Sequence, residues 1–159
     1  MIKTDWISVR PYIVGDNFFY TLNNSITRYT KKDRNKINKQ INISTNIVLD
    51  STMKKLNNSW RGINKTTDVL SFPYNEDRSL TSHEQQYDGE VIISVNQAMH
   101  QAKEHKHSLR AEIAILYIHG VLHVLGYDHG LVRESKKMYS LQNKIFINWK
   151  TVYGQKNVK

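Results

Sequence analysis

The chain has 159 residues, of which 39% are hydrophobic and 23% are charged, proportions typical of one soluble globular domain. It contains no cysteine, which excludes disulfides, thiolate metal sites and cysteine nucleophiles, so any metal would be held by His, Asp or Glu. No apolar run is long enough to span a membrane and no signal segment is visible at the first residues, so we expect a cytoplasmic protein.

The net charge of +9 is concentrated in the first part of the chain. Residues 1–66 contain twelve Lys and Arg against four Asp and Glu, whereas the rest of the chain contains eleven against ten. The densest basic run extends from Lys31 to Lys39. A basic half is typical of proteins that bind an anionic partner, most often nucleic acid. A solvated, lysine-rich surface would give the same composition, so the charge leaves both interpretations open.

The spacing of apolar residues predicts helices interleaved with short strands. From the N-terminus, the predicted elements are a helix over residues 12–30, a strand over 42–49, a helix from Asp50 to about Trp60, strands over 68–73 and 90–94 with a polar loop at 76–86, and helices over about 95–105, 109–125 and 132–149. Asp50 and Ser51 are expected to cap the second helix, and Ser108 the fourth.

This order of elements predicts an α+β fold, with a small mixed β-sheet packed against several helices. The helix over residues 109–125 is apolar around most of its circumference, so we expect it to be buried. One domain is expected to cover residues 1–159, although about the last eight residues need not be ordered, as is common at chain ends.

Three histidines between residues 119 and 129 have the spacing of a metal site. His119 and His123 are four residues apart on a predicted helix, so both imidazoles project from one face. His129 is too far along a straight helix to reach the same ion, but Gly126 lies between them, where a left-handed residue can end the helix. We therefore predict a zinc site at a helix end and the following turn, with one Zn²⁺ per chain held by His119, His123 and His129. Three protein ligands leave a position open for catalysis.

The same spacing occurs in the metzincin peptidases, H-E-x-x-H-x-x-G-x-x-H, whose general base is the Glu after the first His. Gly120 occupies that position, so the metal ligands are present without the peptidase base. Asp128 is a candidate catalytic residue, as general base or as the carboxylate that orients an imidazole, but it could equally serve the turn or cap the last helix. The other histidines have no coherent spacing and are expected at the surface: His83, His100, His105 and His107.

The segment from His119 to His129 resembles the signature H-G-x-L-H-L-x-G-Y-D-H of the YbeY family, with Val124 in place of a usual Leu. A second block contains Asn57, Arg61-Gly62 and Thr67–Pro73, and it is similar to the family's N-x-x-x-R-G and T-[DN]-V-L-S-F-P motifs.

A third block, Asp88–Ser94, is similar to the family's L-G-D-I-x-I-S strand, although Glu90 stands where Asp is usual. Gln142 in the last helix replaces a common Glu. The resemblance extends from about Ile43 to Phe146, and the first 40 residues are not diagnostic.

This resemblance implies a bacterial, zinc-dependent endoribonuclease that cleaves single-stranded RNA, matures the 3′ end of small-subunit ribosomal RNA and takes part in ribosome quality control. It implies an α+β fold with the three histidines on zinc in a cleft. The expected partners are single-stranded RNA, ribosomal RNA and the small ribosomal subunit with its proteins, and neither DNA nor a membrane is expected. The resemblance implies that Arg61 lies near the metal and matters for activity. The alternative interpretation is a structural arginine that holds the corner at Gly62.

Two other functions remain open from the sequence. The first is a zinc metallopeptidase or another zinc hydrolase, which the histidine spacing supports and Gly120 opposes. The second is a non-catalytic ribosome-assembly factor with a structural zinc, which the positive charge supports and the three-ligand count opposes.

Overall fold

The computed structural model describes residues 1–10, 13–31, 40–74, 87–127, 130 and 132–153. In chain order the elements are β1 (Ile2–Ser8), α1 (Asp16–Thr30), β2 (Ile41–Val48), α2 (Asp50–Arg61), β3 (Val69–Pro73), β4 (Gly89–Ser94), α3 (Val95–Glu104), α4 (Leu109–Val124) and α5 (Val132–Tyr153). Across these ranges, five helices and one mixed four-stranded sheet confirm the predicted α+β class. None of the described helices combines the length and the apolar composition that a bilayer crossing needs.

Most predicted elements match the observed ones within a few residues. The last helix is longer than predicted and continues to Tyr153, so the first two of the last eight residues still belong to it. Residues 154–159, the predicted loop at 76–86 and most of the basic run, 32–39, lie outside the described residues.

The sheet has the strand order β1-β2-β4-β3, in which β1, β2 and β4 are parallel and β3 is antiparallel to β4. β1 at one edge is absent from the predicted elements. The reason lies in its side chains, because the apolar Ile7 faces solvent while the polar Thr4 faces inward. That arrangement blurs the alternation by which a half-buried strand is recognised.

Helices cover both faces of the sheet. A Cβ on Gly120 of α4 would meet Val91 and Val69, whereas the strand neighbours of these residues, Leu70 and Ile92, cluster with Met53 of α2. Because consecutive side chains in a strand point to opposite faces, α4 and α2 pack on opposite sides of the sheet. The larger core lies on the side of α4, where α1 and α5 also pack.

The central helix α4 is buried, as predicted. One of its buried polar groups is the hydroxyl of Tyr117, which donates to Asn23 Oδ1 at 2.7 Å and lies 2.5 Å from Thr4 Oγ1. Burial raises the pKa of Tyr117, so the hydroxyl stays neutral and keeps its proton for this hydrogen bond. These contacts join β1 and α1 to α4.

The predicted caps of α2 are wrong. The N-cap residue is Leu49, and Asp50 is the first helical residue. The Asp50 carboxylate accepts hydrogen bonds from three other side chains: Ser94 Oγ at 2.5 Å, Gln97 Nε2 at 2.9 Å and Thr66 Oγ1 at 3.0 Å. Burial by itself raises the pKa of Asp50, but these hydrogen bonds outweigh it and the pKa is lowered. The side chain therefore fastens α2 to the junction of β4 and α3.

Gly120 is the point at which α4 comes closest to the sheet. An added Cβ would lie 2.7 Å from Val91 Cγ1 and 3.1 Å from Val91 Cγ2. Although alanine favours a helix by about 1 kcal/mol over glycine, a β-branched neighbour held in a sheet has little freedom to yield. We expect Gly120→Ala to lower the free energy of unfolding in urea by about 1–3 kcal/mol, the usual cost of overpacking a core.

A double-mutant cycle isolates the cause of that loss. Val91→Ala removes both colliding methyl groups, so adding Gly120→Ala to this background should cost nothing or increase the stability. Equal losses from Gly120→Ala in both backgrounds would show that the close approach to β4 is not what requires glycine.

Candidate metal centre

His119 and His123 lie in the last two turns of α4, and both are half-buried. The structure brings their rings together, as the spacing predicts: the Nε2 atoms are 3.1 Å apart and the ring centroids 4.7 Å. Two nitrogens bound to one tetrahedral zinc ion at 2.0–2.1 Å would be about 3.3 Å apart. The two imidazoles therefore fit one metal ion with little movement.

Gln142 of α5 orients the first of these rings. Its Oε1 lies 2.9 Å from His119 Nδ1, and the amide is buried. When Nδ1 holds the proton and donates it to this oxygen, the lone pair on Nε2 points toward His123 and is available to a metal. The amide keeps the acceptor that a glutamate would offer at this position but lacks its negative charge.

The chain turns sharply where α4 ends, as the position of Gly126 predicts. Gly126 has φ of 88°, its N–H donates to the His123 carbonyl at 2.9 Å, and the Tyr127 N–H donates to the Leu122 carbonyl at 3.0 Å. This left-handed ending redirects the chain within two residues of the helix. His129 and Asp128 lie outside the described residues, so the third ligand and the candidate base stay predictions.

Arg61 is the last residue of α2, and its side chain is exposed. Within the described ranges no hydrogen bond or ion pair holds its guanidinium, and none joins it to His119 or His123. α2 also packs on the face of the sheet opposite α4. The structure thus leaves Arg61 available to a ligand but does not bring it into contact with the histidine pair.

The corner after α2 is braced from inside by Asn57. The buried Asn57 donates through Nδ2 to the Lys65 carbonyl at 2.8 Å, across the turn. Gly62 ends the helix with φ of 69°, and its N–H donates to the Asn58 carbonyl at 2.9 Å. Among the described residues these contacts close the turn without a hydrogen bond or ion pair from the Arg61 side chain.

Glu90, which stands where the family usually has Asp, has two partners. Its Oε1 accepts from Asn46 Nδ2 at 2.7 Å, and its Oε2 accepts from the Tyr74 hydroxyl at 3.0 Å. The carboxylate therefore links β4 to β2 and to the residue after β3.

A second group of possible ligands was not foreseen from the sequence. His107 Nε2 makes a short hydrogen bond to Glu112 Oε2, and His105 Nδ1 lies 3.2 Å from the same oxygen. His105 is exposed, as expected, but His107 is only half-exposed, and the lack of a coherent spacing did not reveal that both contact the buried Glu112. The available signal was a His-x-His pair just before a helix with Glu in its first turn. His100 is exposed, as predicted, and His83 lies outside the described residues.

Comparison with known proteins supports the resemblance seen in the motifs. The family model described as Endoribonuclease YbeY matches residues 16–150. A protein named Endoribonuclease YbeY from Persephonella marina is 42% identical over 116 residues, which are 72% of this chain and 74% of the relative. Another of that name from Brevibacillus brevis is 39% identical over 109 residues, 62% of this chain and 69% of the relative.

A solved structure agrees with the fold over almost the whole chain. The solution structure of TM1509 from Thermotoga maritima has a TM-score of 0.64 and 25% sequence identity, and the match covers 99% of this chain and 94% of that one. The predicted fold class is thus confirmed by an independent structure.

Proposed function

Because this chain belongs to the endoribonuclease YbeY family, we propose that it is a zinc-dependent endoribonuclease that cleaves single-stranded RNA during ribosomal RNA maturation. Membership makes the chain a hydrolase of RNA phosphodiester bonds. The identity of the metal, the preference for single strands and the ribosomal substrate are the proposed parts. The observation that carries the metal dependence is the 3.1 Å separation of the His119 and His123 Nε2 atoms.

The proposed ligands of the metal are His119, His123 and His129, with Gln142 holding His119 in the tautomer that binds through Nε2. Three neutral imidazoles and no thiolate favour zinc. When bound, the ion would supply a Lewis acid at the scissile phosphate. Asp128, next to His129, would accept a proton during cleavage or orient its neighbour's ring.

Exposed cations on and after α2 support an RNA substrate. Lys54, Lys55, Arg61 and Lys65 are all exposed, and such residues neutralise phosphates along a nucleic-acid backbone. Arg61 is proposed to contact the scissile phosphate, where its planar guanidinium can donate two parallel hydrogen bonds. Among the described residues no ion pair would have to be broken before this guanidinium could bind a phosphate.

An exposed aromatic ring beside Arg61 supports the preference for single strands. Trp60 is 60% exposed, and its ring packs against that of Phe72, with the ring centroids 5.3 Å apart. Stacking of an unpaired base on such a ring, next to a cation that binds the backbone, is the usual mode of single-strand recognition. Bases within a duplex are already stacked and cannot use this surface.

The packing of Gly120 opposes the peptidase alternative. This position faces Val91 of β4 and has no room even for a Cβ. A glutamate base of the metzincin type could not occupy it without displacing α4 from the sheet, so this position does not supply such a base.

The wider proposal follows the family resemblance: action at the 3′ end of small-subunit ribosomal RNA, a part in ribosome quality control, and contact with the small subunit and its proteins. The basic first half of the chain, with a net charge of +8 over residues 1–66, suits such a polyanionic partner. A protein working on ribosome precursors in bacteria would do so in the cytoplasm.

The substrate class can be tested directly. Zinc-loaded protein is expected to cleave labelled single-stranded RNA, to cleave the matched duplex far more slowly, and to lose rate steeply as salt is added, since phosphate contacts release counterions. His123→Ala is the inactive control, and casein is the control substrate. Hydrolysis of casein with the RNA left intact would reject the proposal in favour of a peptidase.

A further inference from the structure

We propose that His105, His107 and Glu112 form a second divalent-metal site, at the corner between α3 and α4, which takes zinc or a similar transition-metal ion. The candidate ligand atoms of the three residues all lie within 4.8 Å of one another. This proposal does not depend on the proposed function, because it concerns other residues and an effect on binding and stability.

The geometry of the three side chains suits one small ion. Both imidazoles converge on the same oxygen, Glu112 Oε2, with His105 Nδ1 at 3.2 Å and His107 Nε2 in a short hydrogen bond. The two rings are 5.5 Å apart and inclined by 66°, so they approach that oxygen from different directions. Ligand atoms around a tetrahedral ion are about 3.3 Å apart, and two imidazoles with one carboxylate are a set that zinc accepts.

The backbone holds these residues in place before any metal arrives. After the end of α3, Lys106 lies in the left-handed region, at φ of 55°, and the His107 N–H donates to the Ala102 carbonyl at 3.1 Å. α4 then begins at once, because the Ser108 hydroxyl accepts from the Ala111 N–H at 3.1 Å. Glu112 is in the first turn of this capped helix, so the ligands lie on a rigid corner.

The burial of Glu112 favours the binding of a cation. The residue is only 3% exposed, and a buried carboxylate is costly unless cations or donors compensate it. In the described part of the structure, its side-chain partners are the two histidines. The side chain of His107 is 26% exposed and that of His105 57%, so an ion can reach the site from solvent.

The second site is distinct from the histidine pair at the other end of α4. Glu112 precedes His119 by seven residues, about 10 Å along the helix axis at ~1.5 Å per residue. No ligand is shared. A metal here would fasten the start of the helix whose end carries His119 and His123, so its expected effect is on stability.

The test uses a background in which the first site is removed. Folded His119→Ala/His123→Ala protein should bind one zinc ion per chain in a calorimetric titration, and added zinc should raise its melting temperature. In the same background His105→Ala should weaken zinc affinity at least about tenfold, the lower end of the loss from removing even an outer partner of a ligand. Because His105 is largely exposed, this change should leave the fold intact.

Two further variants make the result unambiguous. His100→Ala removes an exposed histidine outside the cluster and should leave zinc binding unchanged. Glu112→Gln keeps the shape of the buried side chain and one acceptor oxygen but replaces the charged carboxylate with a neutral amide, and it should abolish the zinc-dependent rise in melting temperature. The proposal is overturned if folded His119→Ala/His123→Ala protein binds no zinc, or if its zinc binding is unaffected by both His105→Ala and Glu112→Gln.

Discussion

Replacing His119 and His123 together with alanine is expected to remove one zinc ion per chain and to slow RNA cleavage on the order of a thousandfold or more. A metal Lewis acid supplies several kcal/mol of charge stabilisation in the transition state, and each 1.36 kcal/mol changes the rate tenfold. The two Nε2 atoms face each other at 3.1 Å, and no third ligand can compensate for losing both. The measurements are zinc content by elemental analysis and the rate of cleavage of labelled single-stranded RNA.

A graded variant separates loss of the metal from loss of the fold. Gln142→Leu leaves both histidines in place and removes only the acceptor of the His119 Nδ1–H. Zinc affinity is expected to fall about 10–100-fold, as for other partners of metal ligands, and excess zinc should restore cleavage. His100→Ala, an exposed histidine of α3, serves as the control for removing an imidazole. Full cleavage by folded His119→Ala/His123→Ala protein free of metal would contradict the metal-dependent mechanism.

Arg61→Ala is expected to lower the cleavage rate on the order of a hundredfold or more, comparable to the loss of one preorganised donor to a developing negative charge. Zinc content and melting temperature should stay close to those of the wild type, because the side chain is exposed and has no internal partner among the described residues. Arg61→Lys should restore little, since an ammonium group cannot make two parallel hydrogen bonds to a phosphate.

Asn57→Ala is the matched control for the Arg61 variants, because it removes a buried hydrogen bond at the same turn after α2. The buried Asn57 closes the turn through the Lys65 carbonyl, so its loss should lower the melting temperature. The molecules that remain folded should cleave at the normal rate. If Arg61→Ala behaves in this way instead, losing stability while its folded fraction stays active, Arg61 is a structural residue and its assignment to the chemistry is wrong.

Features that depend on neighbouring residues were predictable from the sequence. The i, i+4 spacing that brings His119 and His123 together, the cap at Ser108 and the left-handed turn at Gly126 all arise within one or two helical turns. Local geometry determines such features, because helix periodicity and the conformational freedom of glycine need no distant partner. The motifs add Arg61 as a candidate, although spacing alone does not relate it to the metal, and they mark Gln142 only as a departure from the family's usual Glu.

Other features were decided only where distant segments meet. The Asp50 carboxylate contacts Ser94, Gln97 and Thr66 and does not cap its own helix. β1 is a strand because it pairs with β2. Its alternation of apolar and polar residues is irregular, since the apolar Ile7 faces solvent.

The two positions of greatest functional interest follow the same division. In the sequence, Gly120 indicates only that the catalytic base of the peptidases is absent. In the fold, its lack of a side chain allows α4 to pack closely against Val91. The sequence predicts His105 and His107 as surface residues without a common partner. The structure shows that both contact the buried Glu112, at the corner between α3 and α4. The sequence by itself thus determined the helices, the histidine pair and the turn after it, because those depend on local backbone geometry. Only the tertiary structure decided which side chains become buried partners, because burial depends on what the rest of the chain packs against them.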